Sequence, residues 1–148
     1  MIRAVESDKE KFMDILLIGD EQEEMIGKYL DRGELFVYEE NGKDIAVCVI
    51  TNEGNRIYEL KNIAVLPEFQ HKGIGKKLLD FAEQYCRPKA DKLVLGTGDS
   101  PLTVPFYEKC GYKRTHTVKN FFIDNYDHPI IEAGVQLVDM IYFEKELR

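Results

Sequence analysis

The chain has 148 residues, with 20 Lys and Arg against 27 Asp and Glu and a net charge of −7. Its length supports a core of its own and fits one domain over residues 1–148, and the acidic balance disfavours nucleic acid, whose phosphates call for surplus Lys and Arg. The longest apolar run, Ile45 to Ile50, is far short of the ~20 residues of a membrane helix, so no membrane partner is expected; the lack of an apolar leader behind Met1 predicts a soluble, unprocessed chain, and three scattered cysteines make the cytoplasm the expected compartment.

Ile2 to Val5 reads as a short strand. Ser7 with Glu10 has capping-box spacing and predicts a helix that buries Phe12, Met13, Ile15 and Leu16. "EQEEMIGKYLDRG" predicts a second helix, acidic at its start and stopped at Gly33. Leu35 to Glu39 and Asp44 to Thr51 read as two strands joined at Asn41-Gly42, the pair a primed turn requires. "NRIYELKNIAVL" follows as a third partner after a turn at Gly54-Asn55. A long helix is predicted over Lys72 to Cys86, with Ile74, Leu78, Phe81, Ala82 and Tyr85 as its apolar stripe. Then come a strand at Lys92 to Gly96, a short helix from Pro101 to Lys109 ending at Gly111, and two strands, Thr115 to Ile123 and Val135 to Phe143, around a polar loop "DNYDHP". This order predicts a mixed α/β sheet.

"QHKGIGKK" sets two glycines one residue apart at the start of the long helix. A Walker loop is excluded because Lys77 follows Lys76 where a hydroxyl is needed. The dinucleotide fingerprint is excluded by Leu78 at the third glycine position. What survives is the shared physics: glycines admit a ligand close to the backbone, and free N–H groups at a helix start attract an anion. His71, Lys72, Lys76 and Lys77 add positive charge. Cys48, Cys86 and Cys110 form no Cys-x-x-Cys pair, and His71, His116 and His128 lack ligand spacing, so neither a disulfide framework nor a metal site is implied.

"ELKNIAVLPEFQHKGIGKKLL", followed by "FYEKCGYKR", resembles the GNAT superfamily of N-acetyltransferases, whose hallmark is Gln/Arg-x-x-Gly-x-Gly/Ala after a strand ending Val-x-Pro. Gln70, Gly73 and Gly75 fill it, and the resemblance runs from the first strand to about Arg114. It implies one mostly antiparallel sheet, splayed between the fourth and fifth strands and flanked by helices. It implies acetyl-CoA as cofactor, its pyrophosphate on the backbone of Gln70, His71, Lys72, Gly73, Ile74, Gly75 and Lys76, and its pantetheine arm along Ile63, Ala64 and Val65. Ser100 stands where the family often has a pantetheine-contacting Asn. Asp99-Ser100-Pro101 equally reads as a helix cap.

Direct attack on a thioester needs a neutral amine, and an alkyl ammonium of pKa about 10.4 supplies under about one part in a thousand at pH 7. The resemblance offers Glu59 as the general base, with a solvent-facing strand glutamate as the plain alternative. A backbone N–H near Val65 would face the developing oxyanion. Tyr107 matches the family tyrosine that protonates the leaving thiolate, and it also reads as a core aromatic. The family walls its acceptor with the first two helices and the C-terminal strands, which makes Asp20, Glu21, Glu24, Asp124, Tyr126, Asp127 and His128 candidates for holding a cationic small-molecule or peptide amine. A homodimer is compatible with this reading. An acetyl-CoA-binding sensor or partner protein without turnover would use the same cradle.

Overall fold

A computed structural model describes residues 1–148. Seven strands form one sheet: β1 (Ile2–Val5), β2 (Glu34–Glu40), β3 (Lys43–Asn52), β4 (Ile57–Val65), β5 (Lys92–Gly98), β6 (Lys113–Val118) and β9 (Met140–Glu146). Their order is β1-β2-β3-β4-β5-β9-β6. Only β4 and β5 run parallel; every other pairing is antiparallel. The β2–β3 turn is primed as predicted, with Asn41 and Gly42 both left-handed at φ 53° and 78°.

Two helices, α1 (Met13–Gly19) and α2 (Glu23–Gly27), cover one face of the sheet, and α3 (Ile74–Cys86) covers the other. Leu16, Ile26, Leu35, Val37, Val47 and Val49 are buried on the first face, and Ile45, Ile50, Leu78, Leu79, Leu93 and Phe143 on the second. Each fully buried aliphatic side chain contributes about 1.5–3 kcal/mol by leaving water. On α3 the buried residues Ile74, Leu78, Leu79, Ala82 and Cys86 recur at helical spacing, which is why this segment docks as a helix.

A bulge in β4 re-phases the strand. Val49 pairs with Asn62 and Ile50 with Leu60, leaving Lys61 unpaired. Leu60 and Ile63 therefore both join the core beneath α3, while Ala64 joins the core beneath α1.

Several boundaries differ from the sequence expectations. Ser7 caps nothing: Asp8 takes φ 55°, a 3-10 turn covers Lys9–Phe12, and α1 begins at Met13. The Lys9 ammonium donates instead to the carbonyls of Leu30 and Gly33, tying this turn to the end of the second helical segment. The long helix starts at Ile74 because Gly73 is left-handed. The short helix α4 (Val104–Lys109) starts three residues after Pro101, with a turn before it.

The largest correction is C-terminal. The expected strand over Thr115 to Ile123 stops at Val118. Asn120 turns left-handed, donates its N–H to Asp139 Oδ1, and opens α5 (Phe121–Asn125). A hairpin of β7 (Ile131–Glu132) and β8 (Val135–Gln136) follows. Phe122, Ile130 and Leu137 bury one another beneath it, a contact between residues 7 to 15 apart that overrides the strand propensity of "FFI". The chain then returns as β9 between β5 and the exposed edge strand β6.

Candidate active site

The parallel pairing of β4 and β5 stops at Leu60 and Leu95. Beyond it each strand keeps its outer neighbour, β4 with β3 as far as Val65 and β5 with β9 as far as Gly98. The two strands therefore diverge, and a cavity of about 290 Å³ opens between them. Ile63, Ala64, Val65 and Gln70 line its outer end, and Lys61, Asn62, Gly96, Thr97, Tyr107, Gly19 and Glu132 line the rest.

At Val65 and Gln70 this slot meets a second cavity, which is lined by Phe69, His71, Gly73, Ile74, Gly75, Lys76, Leu102 and Phe106. Here the first ladder bond of α3 runs from Lys77 N–H to the Gly73 carbonyl at 3.1 Å, and the amides of His71 through Lys76 have no partner in the protein. Gly73 holds φ 83°, with nothing within 4 Å of where a Cβ would stand; the space at Gly75 is equally open. Free N–H groups at a helix start, with no side chain over the glycines, form an anion cradle. Gln70 acts locally, its Nε2 donating to the Val65 carbonyl at 3.0 Å and closing the turn. Lys72 lies outside this lining, with its ammonium 5.5 Å from the Phe69 ring centroid, and Lys76 is tied to Asp80.

Tyr107 is buried and packs against Phe106, Tyr112 and Phe143. Its hydroxyl has no protein hydrogen-bond partner, and the residue lines the slot. Burial raises its pKa, and the charge of Glu132 adds to this, so the phenol keeps its proton at neutral pH. Phe106 is half-buried, packing against the core beneath α3 while forming part of the cradle wall.

Glu59 lies on the other side of the splay. Its Oε2 is 3.1 Å from Lys61 Nζ and accepts from the Tyr142 hydroxyl at 3.3 Å. Burial raises its carboxyl pKa, opposed by Lys61. It lines a third cavity, of about 280 Å³, walled by Tyr29, Phe121, Tyr126 and Tyr142. Asp20 lies there too, accepting from Tyr29 at 2.9 Å and from Tyr126. Burial raises its pKa as well, with the two hydroxyls acting against the shift. Lys61 and Gly96, at the apex of the splay, line both this cavity and the slot.

Of the acceptor-side candidates, Asp20, Glu21 and Tyr126 border these spaces, whereas Glu24, Asp124, Asp127 and His128 are exposed and do not. Ser100 is buried but lines neither slot nor cradle. Its Oγ accepts the Leu102 N–H at 3.1 Å and its carbonyl accepts from Thr103 and Val104, so it holds the turn ahead of α4, whose N-cap position falls to Thr103 rather than to Ser100. Thr103 lines the slot in its stead. Sequence reasoning passes over Asn62 and Glu132. The only signal for either is a polar residue inside an apolar run, "LKNIAV" and "PIIEAGV".

A slot between diverging strands that leads into an anion cradle fits a long thioester with a pyrophosphate. Residues 31–114 match the acetyltransferase (GNAT) domain family. A GNAT family acetyltransferase from Elizabethkingia anophelis, crystallised with acetyl-CoA bound, is similar at TM-score 0.93 and 37% identity, over 99% of this chain and 97% of that one. The IAA acetyltransferase of Bacillus cereus is similar at TM-score 0.92 and 34% identity, over 99% and 98%. The uncharacterized N-acetyltransferase YvbK of Bacillus subtilis is 33% identical over 138 residues, 92% of this chain and 89% of its own length. Acetyl-CoA is the co-substrate that this fold and cradle serve. The chain belongs to the GNAT family of acetyltransferases.

Proposed function

We propose that the protein transfers the acetyl group of acetyl-CoA to a primary amine of a small molecule or peptide, by direct attack within a ternary complex. The observation that carries this reading is the continuity of the cavities: cradle and slot share Val65 and Gln70, and slot and aromatic cavity share Lys61 and Gly96. A donor entering at the cradle and an acceptor entering at the aromatic cavity would thus meet at the apex of the splay, beside Tyr107.

In this reading the amides of His71 through Lys76 hold the pyrophosphate, and the unpaired edge of β4 over Ile63–Val65 lies along the pantetheine arm as an added strand would. Tyr107 donates its phenolic proton to the departing sulfur; its hydroxyl has no competing partner, and burial keeps it protonated. Glu59 meets one requirement of a base, a carboxyl pKa raised by burial. Its oxygen, however, is already engaged by Lys61 and Tyr142, so taking up a proton would cost that ion pair. Asp20, Glu59 and the surrounding tyrosines favour a cationic acceptor.

The test is release of coenzyme thiol from acetyl-CoA across polyamines, aminoglycosides, amino acids and N-terminal peptides, with acetyl-CoA binding followed by calorimetry. Release with one amine class supports the reading and identifies the acceptor. Tight acetyl-CoA binding with no release for any class moves the protein to a sensor role.

A further inference from the structure

Only two buried side-chain polar atoms in the chain lack a hydrogen-bond partner, Asn62 Oδ1 and Glu132 Oε2. Both are acceptors, and both residues line the slot between β4 and β5. Leaving one such group unpaired costs about 1–3 kcal/mol, and a ligand in the slot that donates hydrogen bonds would satisfy both. The orientation of Asn62 follows from its partners: its Nδ2 donates to the Leu16 carbonyl at 3.0 Å, which can only accept, so Oδ1 faces the other way. Gly19 leaves room for that oxygen. It closes α1 without a left-handed φ, yet a Cβ there would stand 2.2 Å from Asn62 Oδ1 and 2.9 Å from the Ile63 carbonyl. Glu132 arrives on the β7–β8 hairpin, anchored by Phe122, Ile130 and Leu137, so its placement depends on the C-terminal segment.

We propose that Asn62 Oδ1 and Glu132 Oε2 form the subsite that receives the acceptor's ammonium, and that Glu132 is the catalytic residue that removes its proton. The inference rests on the reading of the chain as an amine N-acetyltransferase. The acceptor's ammonium gives one proton to the Glu132 carboxylate, and the freed nitrogen lone pair bonds to the acetyl carbonyl carbon. The carbon–sulfur bond breaks, and Tyr107 passes its phenolic proton to the sulfur. The nitrogen proton lost as the amide forms restores the phenol, and Glu132 returns its own to solvent. The charged and titratable groups facing Glu132 are Lys61 from β4, Tyr107 from α4, and Asp20, Glu21 and Tyr126 across the adjoining space. Glu59 then serves as the counter-ion of Lys61, a positioning residue at the apex.

The test compares wild type, Glu132→Gln and Glu59→Gln on two acceptors at pH 7.5: the best alkylammonium of the amine panel, and a fluorinated alkylamine already neutral at that pH. Glu132→Gln should lower kcat/KM about 100-fold or more on the alkylammonium, clearly less on the neutral amine, and leave acetyl-CoA affinity unchanged. Equal losses on both amines, or activity within about threefold of wild type, would overturn the assignment, as would the same differential loss appearing in Glu59→Gln alone. If acetyl-CoA binds and no amine is acetylated, the transfer reading has failed, and the subsite is tested separately. n-Butylammonium is then titrated into the acetyl-CoA-loaded protein while the Asn62 side-chain amide is followed by NMR. A saturable shift that Glu132→Gln removes supports the subsite; no saturable shift overturns it.

Discussion

Gly75→Ala separates what the cradle does for the fold from what it does for the coenzyme. Gly75 is the second residue of α3, has no left-handed φ, and leaves nothing within 4 Å of an added Cβ. Alanine there meets no clash and gains helix propensity, up to about 1 kcal/mol. For a chain of this size that raises Tm by about 2–4 °C. The same methyl group would stand over the unpaired amides of Ile74 and Lys76 and keep an anion at a distance. Losing one charge-assisted hydrogen bond costs about 1.5–3 kcal/mol, a weakening of acetyl-CoA binding of roughly 10- to 150-fold. Gly73→Ala is the control: it sits at φ 83°, where a side chain costs about 1–2 kcal/mol, so it should lower Tm and weaken binding together. The assay is thermal denaturation without coenzyme, paired with calorimetric titration of acetyl-CoA. A Gly75→Ala protein with raised Tm and undiminished affinity would refute the cradle assignment.

Tyr107→Phe should reduce kcat about 100-fold with acetyl-CoA affinity unchanged. Because the hydroxyl has no protein partner, stability should move by less than about 1 kcal/mol; full activity would return Tyr107 to a packing role. Glu59 carries a raised folded-state pKa, so the native state holds its proton to higher pH than the unfolded chain and stability declines as pH rises through that window. Against Glu59→Gln, wild type should lose relative stability from the ordinary carboxylate range upward and level off above the raised pKa, which urea denaturation at a series of pH values would detect. Lys145 donates to Glu83 at 3.0 Å and to the Cys110 carbonyl at 2.9 Å, and Tyr112 donates to the same Glu83. Lys145→Met should therefore cost about 1–3 kcal/mol in urea denaturation, and an unchanged midpoint would remove this network as a support for α3 and β9.

The features legible in the sequence are those written in local spacing. Asn41-Gly42 predicts its turn because only a few residues tolerate two left-handed positions in succession. The apolar stripe of α3, and the glycines before and within its first turn, predict both the helix and the cradle, since period and missing side chains are local facts. Tyr107 is legible because it sits in a short motif. The tertiary structure alone decides the rest. No local pattern tells that β9 inserts between β5 and β6, that a bulge at Lys61 re-phases β4, or that β4 and β5 part after Leu60 and Leu95, because each depends on pairing between segments distant in the chain. The aromatic run after Val118 reads as strand and folds as helix because burying Phe122 against Ile130 and Leu137 outweighs propensity. For the same reason Glu132 leaves only a faint mark in the sequence: a polar residue in an apolar run has no assigned role until the fold places it, unpaired, in the slot with Tyr107.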